Sequence, residues 1–129
     1  MNMPAVRPSD GRDDFSVGLV QTSCGVDPGK NRDAALVGIR TAARRGADIV
    51  CLQELFTSQY FCQTEDTRFF DLAETVPGPS TEACSAVAKE LGVVVIVPVF
   101  EKRASGLYHN SAAVIDDTGT LVGLYRKLH

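Results

Sequence analysis

Apolar residues fall into short runs separated by polar stretches that carry glycine and proline, and the runs follow two different periods. Residues 15–21 form a mostly apolar run that reads as a buried strand, closed by polar residues 22–30. Asp27 with Pro28, or Asn31, can then cap a helix, in which Ala35, Ile39 and Ala42 recur at helical spacing and Arg40 and Arg44 share another face. Gly46 stops that helix, and residues 47–52 are short, apolar and β-branched, as expected of a strand covered on both faces. After a polar and aromatic stretch, Pro77, Gly78, Pro79 and Ser80 mark a turn, and Ser80 can cap a helix whose stripe is Cys84, Val87, Ala88 and Leu91. Gly92 ends it, and residues 93–97 are the clearest strand. Residues 111–115 and 121–125 flank Asp116 to Gly119 as a β-hairpin.

The predicted order is β-α-β-α-β-β-β. Strands alternating with helices imply an α/β fold, and the closing hairpin makes the sheet mixed. Residues 1–14 mix prolines, a glycine and charges without periodicity and read as a flexible leader, which leaves residues 15–129 as the domain. The last strand runs to His129 without cap or polar tail, so the domain is expected to be incomplete at its C-terminal side.

Composition narrows the function classes. The chain has 129 residues, 44% hydrophobic and 22% charged, an ordinary globular balance. A net charge of -3 without a basic block gives no footprint for nucleic acid or an anionic membrane, so a small-molecule partner is expected. No apolar run reaches a membrane span and no signal peptide is evident, which predicts a cytoplasmic protein. Cys24, Cys51, Cys62 and Cys84 lack the spacing of a zinc site and are expected to be reduced thiols.

Two residues stand where chemistry collects. Glu54 follows the strand ending at Leu52, and the carboxyl ends of strands are where α/β sheets place ligand-binding groups. Burial there raises a carboxylate towards the range useful to a general base unless a cation opposes the shift. Lys127 ends the last strand beside Arg126, so only one of that pair faces a site. Its ammonium suits a developing oxyanion. A surface glutamate and a solvated strand-end lysine are the plainer readings of each residue alone.

The stretches Leu52, Gln53, Glu54, Leu55, Phe56 and Tyr125, Arg126, Lys127, Leu128, His129 resemble the motifs that hold the general base and the lysine of the nitrilase superfamily of carbon-nitrogen hydrolases. The similarity spans about residues 15–129, including Pro77, Gly78, Pro79 and residues 106–110. Residues 58–66 and 100–110 look most like N-carbamoylputrescine amidohydrolases. The resemblance implies an α-β-β-α sandwich, of which this chain supplies roughly the first half, and a Glu-Lys-Cys mechanism without metal or organic cofactor. It also implies an amide or ureido substrate and a full-length protein that is a homo-oligomer. Glu54 and Lys127 take the catalytic positions. The family's cysteine and a second glutamate lie downstream of its lysine motif and have no counterpart among these residues.

The loop after Glu54 offers Tyr60, Glu65 and Asp66, an aromatic face and carboxylates that suit the far end of a cationic, polyamine-like substrate. Solvated loop charges are the plainer reading. His109 and Asn110 can buttress the site by hydrogen bonds or serve as turn residues. The resulting expectation is a hydrolase that converts N-carbamoylputrescine to putrescine, carbon dioxide and ammonia. Its rivals are a related amidase, β-ureidopropionase or nitrilase and, in another class, a non-catalytic binding module.

Overall fold

The computed structural model describes Gly11 and residues 14–129, so the expected leader lies almost wholly outside the described residues. The elements are β1 (Val17–Val20), α1 (Pro28–Arg44), β2 (Ile49–Leu52), a 3-10 helix (Thr67–Leu72), α2 (Pro79–Leu91), β3 (Val94–Ala104), β4 (Leu107–Ile115) and β5 (Leu121–Arg126). They build one mixed five-stranded sheet in the order β1-β2-β3-β4-β5. The first three strands are parallel, and β4 and β5 add as antiparallel hairpins.

Two successive crossovers of the same hand put α1 and α2 side by side on one face of the sheet. Period-two alternation sends Val95, Val97 and Val99 of β3 and Ala113 and Ile115 of β4 to that face, where they meet Ala35 and Ile39 of α1 and Cys84, Val87 and Ala88 of α2 in one core. Each fully buried aliphatic or aromatic side chain, such as Ile39 or Phe56, contributes about 1.5–3 kcal/mol. Close approach of α1 to β1 depends on glycine: a Cβ on Gly38 would come within 2.4 Å of the Val20 Cγ1 atom.

Neither α1 nor α2 covers the opposite face, and its β1 edge is open, which corrects the reading of the first strand as buried. Val17 and Leu19 point away from the helices and are 52% and 79% exposed, while Gly18 and Val20 face them. An alternating run shows that a strand has two faces but not whether both are covered.

The helix starts also differ in detail. Asp27, not Asn31, caps α1, accepting the N–H groups of Gly29 and Lys30 at 2.9 and 3.2 Å. Asn31 is instead buried, where its amide donates to the Gly25 and Thr57 carbonyls, 2.9 Å each, and ties the loop after β1 to the loop after β2. Ser80 lies inside α2 and does not cap it. The entry is closed by Thr81, whose Oγ1 accepts the Gly78 N–H at 2.9 Å, while the Ser80 N–H and hydroxyl both donate to Glu74. Gly92 ends α2 in the left-handed region, φ 64°, as the sequence suggested. The chief departure is the length of β3 and β4, which run well beyond 93–97 and 111–115 and form a second hairpin of their own.

Candidate active site

The carboxyl end of β2 is braced from both sides. The Gln53 amide donates to the Thr22 carbonyl at 2.8 Å and accepts the Thr22 N–H at 2.5 Å, which locks the ends of β1 and β2 together. On the other side of Glu54 the backbone of Leu55 is left-handed, φ 54°, an arrangement that costs a branched residue roughly 1–2 kcal/mol and that its burial sustains. Glu54 is therefore displayed at a sharp turn between two fixed neighbours.

Lys127 follows the last residue of β5, and its N–H donates to the Asn110 carbonyl at 2.8 Å. Alternation sends Arg126 to the helix-covered face and Lys127 to the open one, as adjacency required. There the Lys127 ammonium donates to Glu54 Oε1 at 2.8 Å, although the two residues are 73 positions apart. The Asn110 side-chain amide donates to the same oxygen at 2.5 Å.

The three residues form one polar cluster on an otherwise apolar sheet face. The Lys127 ammonium, then the Asn110 amide, hold the Glu54 carboxyl below the ordinary glutamate value, and these outweigh the opposing effect of burial. Burial is incomplete, the Glu54 side chain being 47% exposed, so the cation sets the direction. Lys127 is raised in turn, first by its bond to Glu54, then by that residue's charge, with smaller contributions from Tyr60 and Cys62. The pair's contribution to stability is present above the ordinary glutamate pKa of 4.5 and is lost as pH falls through the lowered one. At the other limit it is present below the ordinary lysine pKa of 10.5 and is lost as pH rises through the raised one. Both side chains are about half exposed, so that contribution is small.

Tyr60 lines a cavity of about 340 Å³ with Glu54, Cys24 and Ser58. Glu65 and Asp66 do not line that cavity. They line a cavity of about 530 Å³ walled by Phe61, Phe69, Phe70 and Phe100. Asp66 is committed to local structure, capping the 3-10 helix through the Arg68 N–H and pairing with the Arg68 guanidinium at 2.6 Å. Glu65 carries no ion pair among the described residues. A smaller cavity of about 240 Å³, lined by Phe61, Phe100, Tyr108, His109 and Asn110, shares walls with the aromatic cavity and reaches the Glu54 cluster at Asn110.

Among the described residues no cysteine is hydrogen-bonded to Glu54, Lys127 or Asn110, although Cys24 lines the Glu54 cavity and Cys62 lies near enough to act on Lys127. Cys84 is fully buried, and burial pushes its thiol up to about 12. Cys24 donates its S–H to the Phe56 carbonyl at 3.1 Å, Cys51 is half-buried on β2, and Cys62 is an exposed loop thiol. Among the described residues no group of three or more His, Cys, Asp and Glu could hold a metal ion, and no helix is long and apolar enough to cross a membrane.

A glutamate and a lysine at the ends of β2 and β5 meet on the sheet's open face, and the carbon-nitrogen hydrolase family matches residues 16–129. The chain belongs to the carbon-nitrogen hydrolase family. Its curated relatives include N-carbamoylputrescine amidases of Solanum lycopersicum, 43% identical over 115 residues, and Oryza sativa subsp. japonica, 45% identical over 115 residues; each alignment covers 88% of this chain and 38% of the relative. An omega-amidase NIT2 of Bos taurus is 38% identical over 116 residues, covering 89% of this chain and 40% of the relative. Among solved structures, a carbon-nitrogen hydrolase from Helicobacter pylori G27 superposes with a TM-score of 0.83 at 38% identity, covering 89% of this chain and 40% of that one. This family member thus spans well under half the length of the relatives it matches.

Proposed function

We propose that the chain carries the base and the oxyanion-stabilising half of a hydrolase site for N-carbamoylputrescine, completed by a cysteine outside these residues. The observation that carries the reading is the 2.8 Å contact between Lys127 and Glu54 on the open sheet face. In the proposed reaction the cysteine thiolate attacks the ureido carbonyl, Glu54 having taken the thiol proton. The oxyanion forms against the Lys127 ammonium, and Glu54 returns the proton to departing ammonia. Water, deprotonated by Glu54, then cleaves the thioester-like intermediate. The carbamic acid released loses carbon dioxide and leaves putrescine, which places the reaction in polyamine synthesis.

Glu54 held ionised suits the first step, because only the carboxylate can accept a proton. The cavities running from Asn110 past Phe100 to the rim near Glu65 suit an extended alkyl chain ending in an ammonium, which takes an aromatic face and a carboxylate. Asp66 is a weaker candidate for that end, since Arg68 already neutralises it. Similarity to omega-amidases at 38–39% identity favours a second reading, an ω-amide substrate handled by the same groups. Ammonia release by a complete hydrolase containing these residues, measured with N-carbamoylputrescine, β-ureidopropionate, an ω-amide and a nitrile, separates them. The highest kcat/KM is expected for N-carbamoylputrescine. A higher value for the ω-amide would replace the substrate assignment, and no ammonia from any of the four would remove the hydrolase reading.

A further inference from the structure

Behind the Glu54–Lys127–Asn110 cluster, on the helix-covered face of the same strands, lies a second polar cluster that the proposed reaction does not use. Glu101 of β3 is buried, its side chain 3% exposed. It accepts Arg126 Nε–H on Oε2 at 2.9 Å and Arg126 Nη2–H on Oε1 at 2.7 Å. The Ser111 hydroxyl donates to Oε2 at 2.6 Å. These residues come from three adjacent strands, and Ser111 is directly opposite Arg126 in the ladder. The guanidinium holds the Glu101 carboxyl below its ordinary range, so the clasp is ionic at neutral pH.

Its position gives it a consequence for the front face. Asn110 and Lys127 are the immediate chain neighbours of Ser111 and Arg126, pointing the other way. Arg126 is the last residue of β5, and beyond it the backbone is secured by the Lys127 N–H to the Asn110 carbonyl. The Lys127 side chain itself is half exposed. A long, flexible, half-exposed lysine acts at a defined point only if its backbone is fixed, and the two-point fork of an arginine on a carboxylate fixes both distance and plane.

We infer that Glu101, acting through Arg126, is a positioning residue for Lys127. The inference rests on the reading of Lys127 as the oxyanion stabiliser. A clasp that merely joined strands would change stability without changing how Lys127 meets Glu54, and that difference can be measured.

The measurement is an NMR titration of the Lys127 ammonium and the Glu54 carboxyl in the full chain, with sheet integrity followed in the amide spectrum, for the wild type and for Arg126→Gln and Glu101→Gln. Arg126 is the safer variant, since its side chain is 33% exposed. Loss of positioning predicts that both variants move in the same sense, the Lys127 midpoint falling back to that of an ordinary lysine and the Glu54 midpoint rising. Simple through-space charge predicts opposite senses: removing the cation of Arg126 raises Lys127, and removing the anion of Glu101 lowers it. In a complete hydrolase Arg126→Gln is expected to lower kcat by up to about a hundredfold with KM little changed. A Lys127 midpoint that rises or stays put in folded Arg126→Gln overturns the inference while leaving the site intact. If Lys127 and Glu54 titrate independently in the wild type, the site reading falls and the inference falls with it.

Discussion

Replacing Glu54 by glutamine in a complete hydrolase containing these residues is expected to lower turnover at least about a hundredfold, equivalent to about 2.7 kcal/mol of transition-state stabilisation. The amide is nearly isosteric and still accepts hydrogen bonds from the Lys127 ammonium and the Asn110 amide on its oxygen, so the cluster should persist. What disappears is proton acceptance. Glutamine cannot take the thiol proton, return it to ammonia or activate the second water, so acylation and deacylation both slow. Steady-state ammonia release reads the effect, with thermal unfolding as the control for folding. Near-normal turnover in the folded variant would show that another residue is the base.

Lys127→Met alone is expected to cost roughly a hundredfold to a thousandfold in kcat, the usual loss for one oxyanion-stabilising donor. Methionine keeps the unbranched reach of lysine without its charge. The oxyanion exists only after attack, so KM should change little while kcat falls. The variant also frees Glu54 from its largest perturbing partner. Without Lys127 the carboxyl rises towards its ordinary value, and the acid limb of the pH-rate profile moves to higher pH because the base must be ionised. A kcat loss without that displacement would mean that the 2.8 Å contact does not govern Glu54 during turnover.

The element order was legible because strands and helices write different periods, and α1, α2 and the hairpin at Asp116 to Gly119 lie close to where periodicity and turn residues put them. Strand ends were not legible where charge interrupts the apolar run. Glu101, Lys102 and Arg103 are charged and interrupt the apolar pattern, yet β3 continues through them, in part because Glu101 finds Ser111 on the neighbouring strand and Arg126 two strands away. A partner at that separation leaves no local trace. The same holds for Glu54 and Lys127, whose motifs pointed to one site while nothing in their spacing did. The left-handed turn at Leu55 carries no signal either, since a branched residue is the last one expected there. Asp66 could have been read more sharply: an aspartate two residues before Arg68 and just ahead of a helix start is a cap, and a capping carboxylate paired with arginine is a poor candidate for binding a substrate ammonium.

A double-mutant cycle in ammonia release tests most directly whether Glu54 and Lys127 act as one unit on one carbonyl. Wild type, Glu54→Gln, Lys127→Met and the double variant of the complete hydrolase are compared at saturating N-carbamoylputrescine. Groups that serve the same step are strongly non-additive, so the double variant should be little worse than the more damaged single one. Losses that multiply in the double variant, as for two independent sites, would contradict the account.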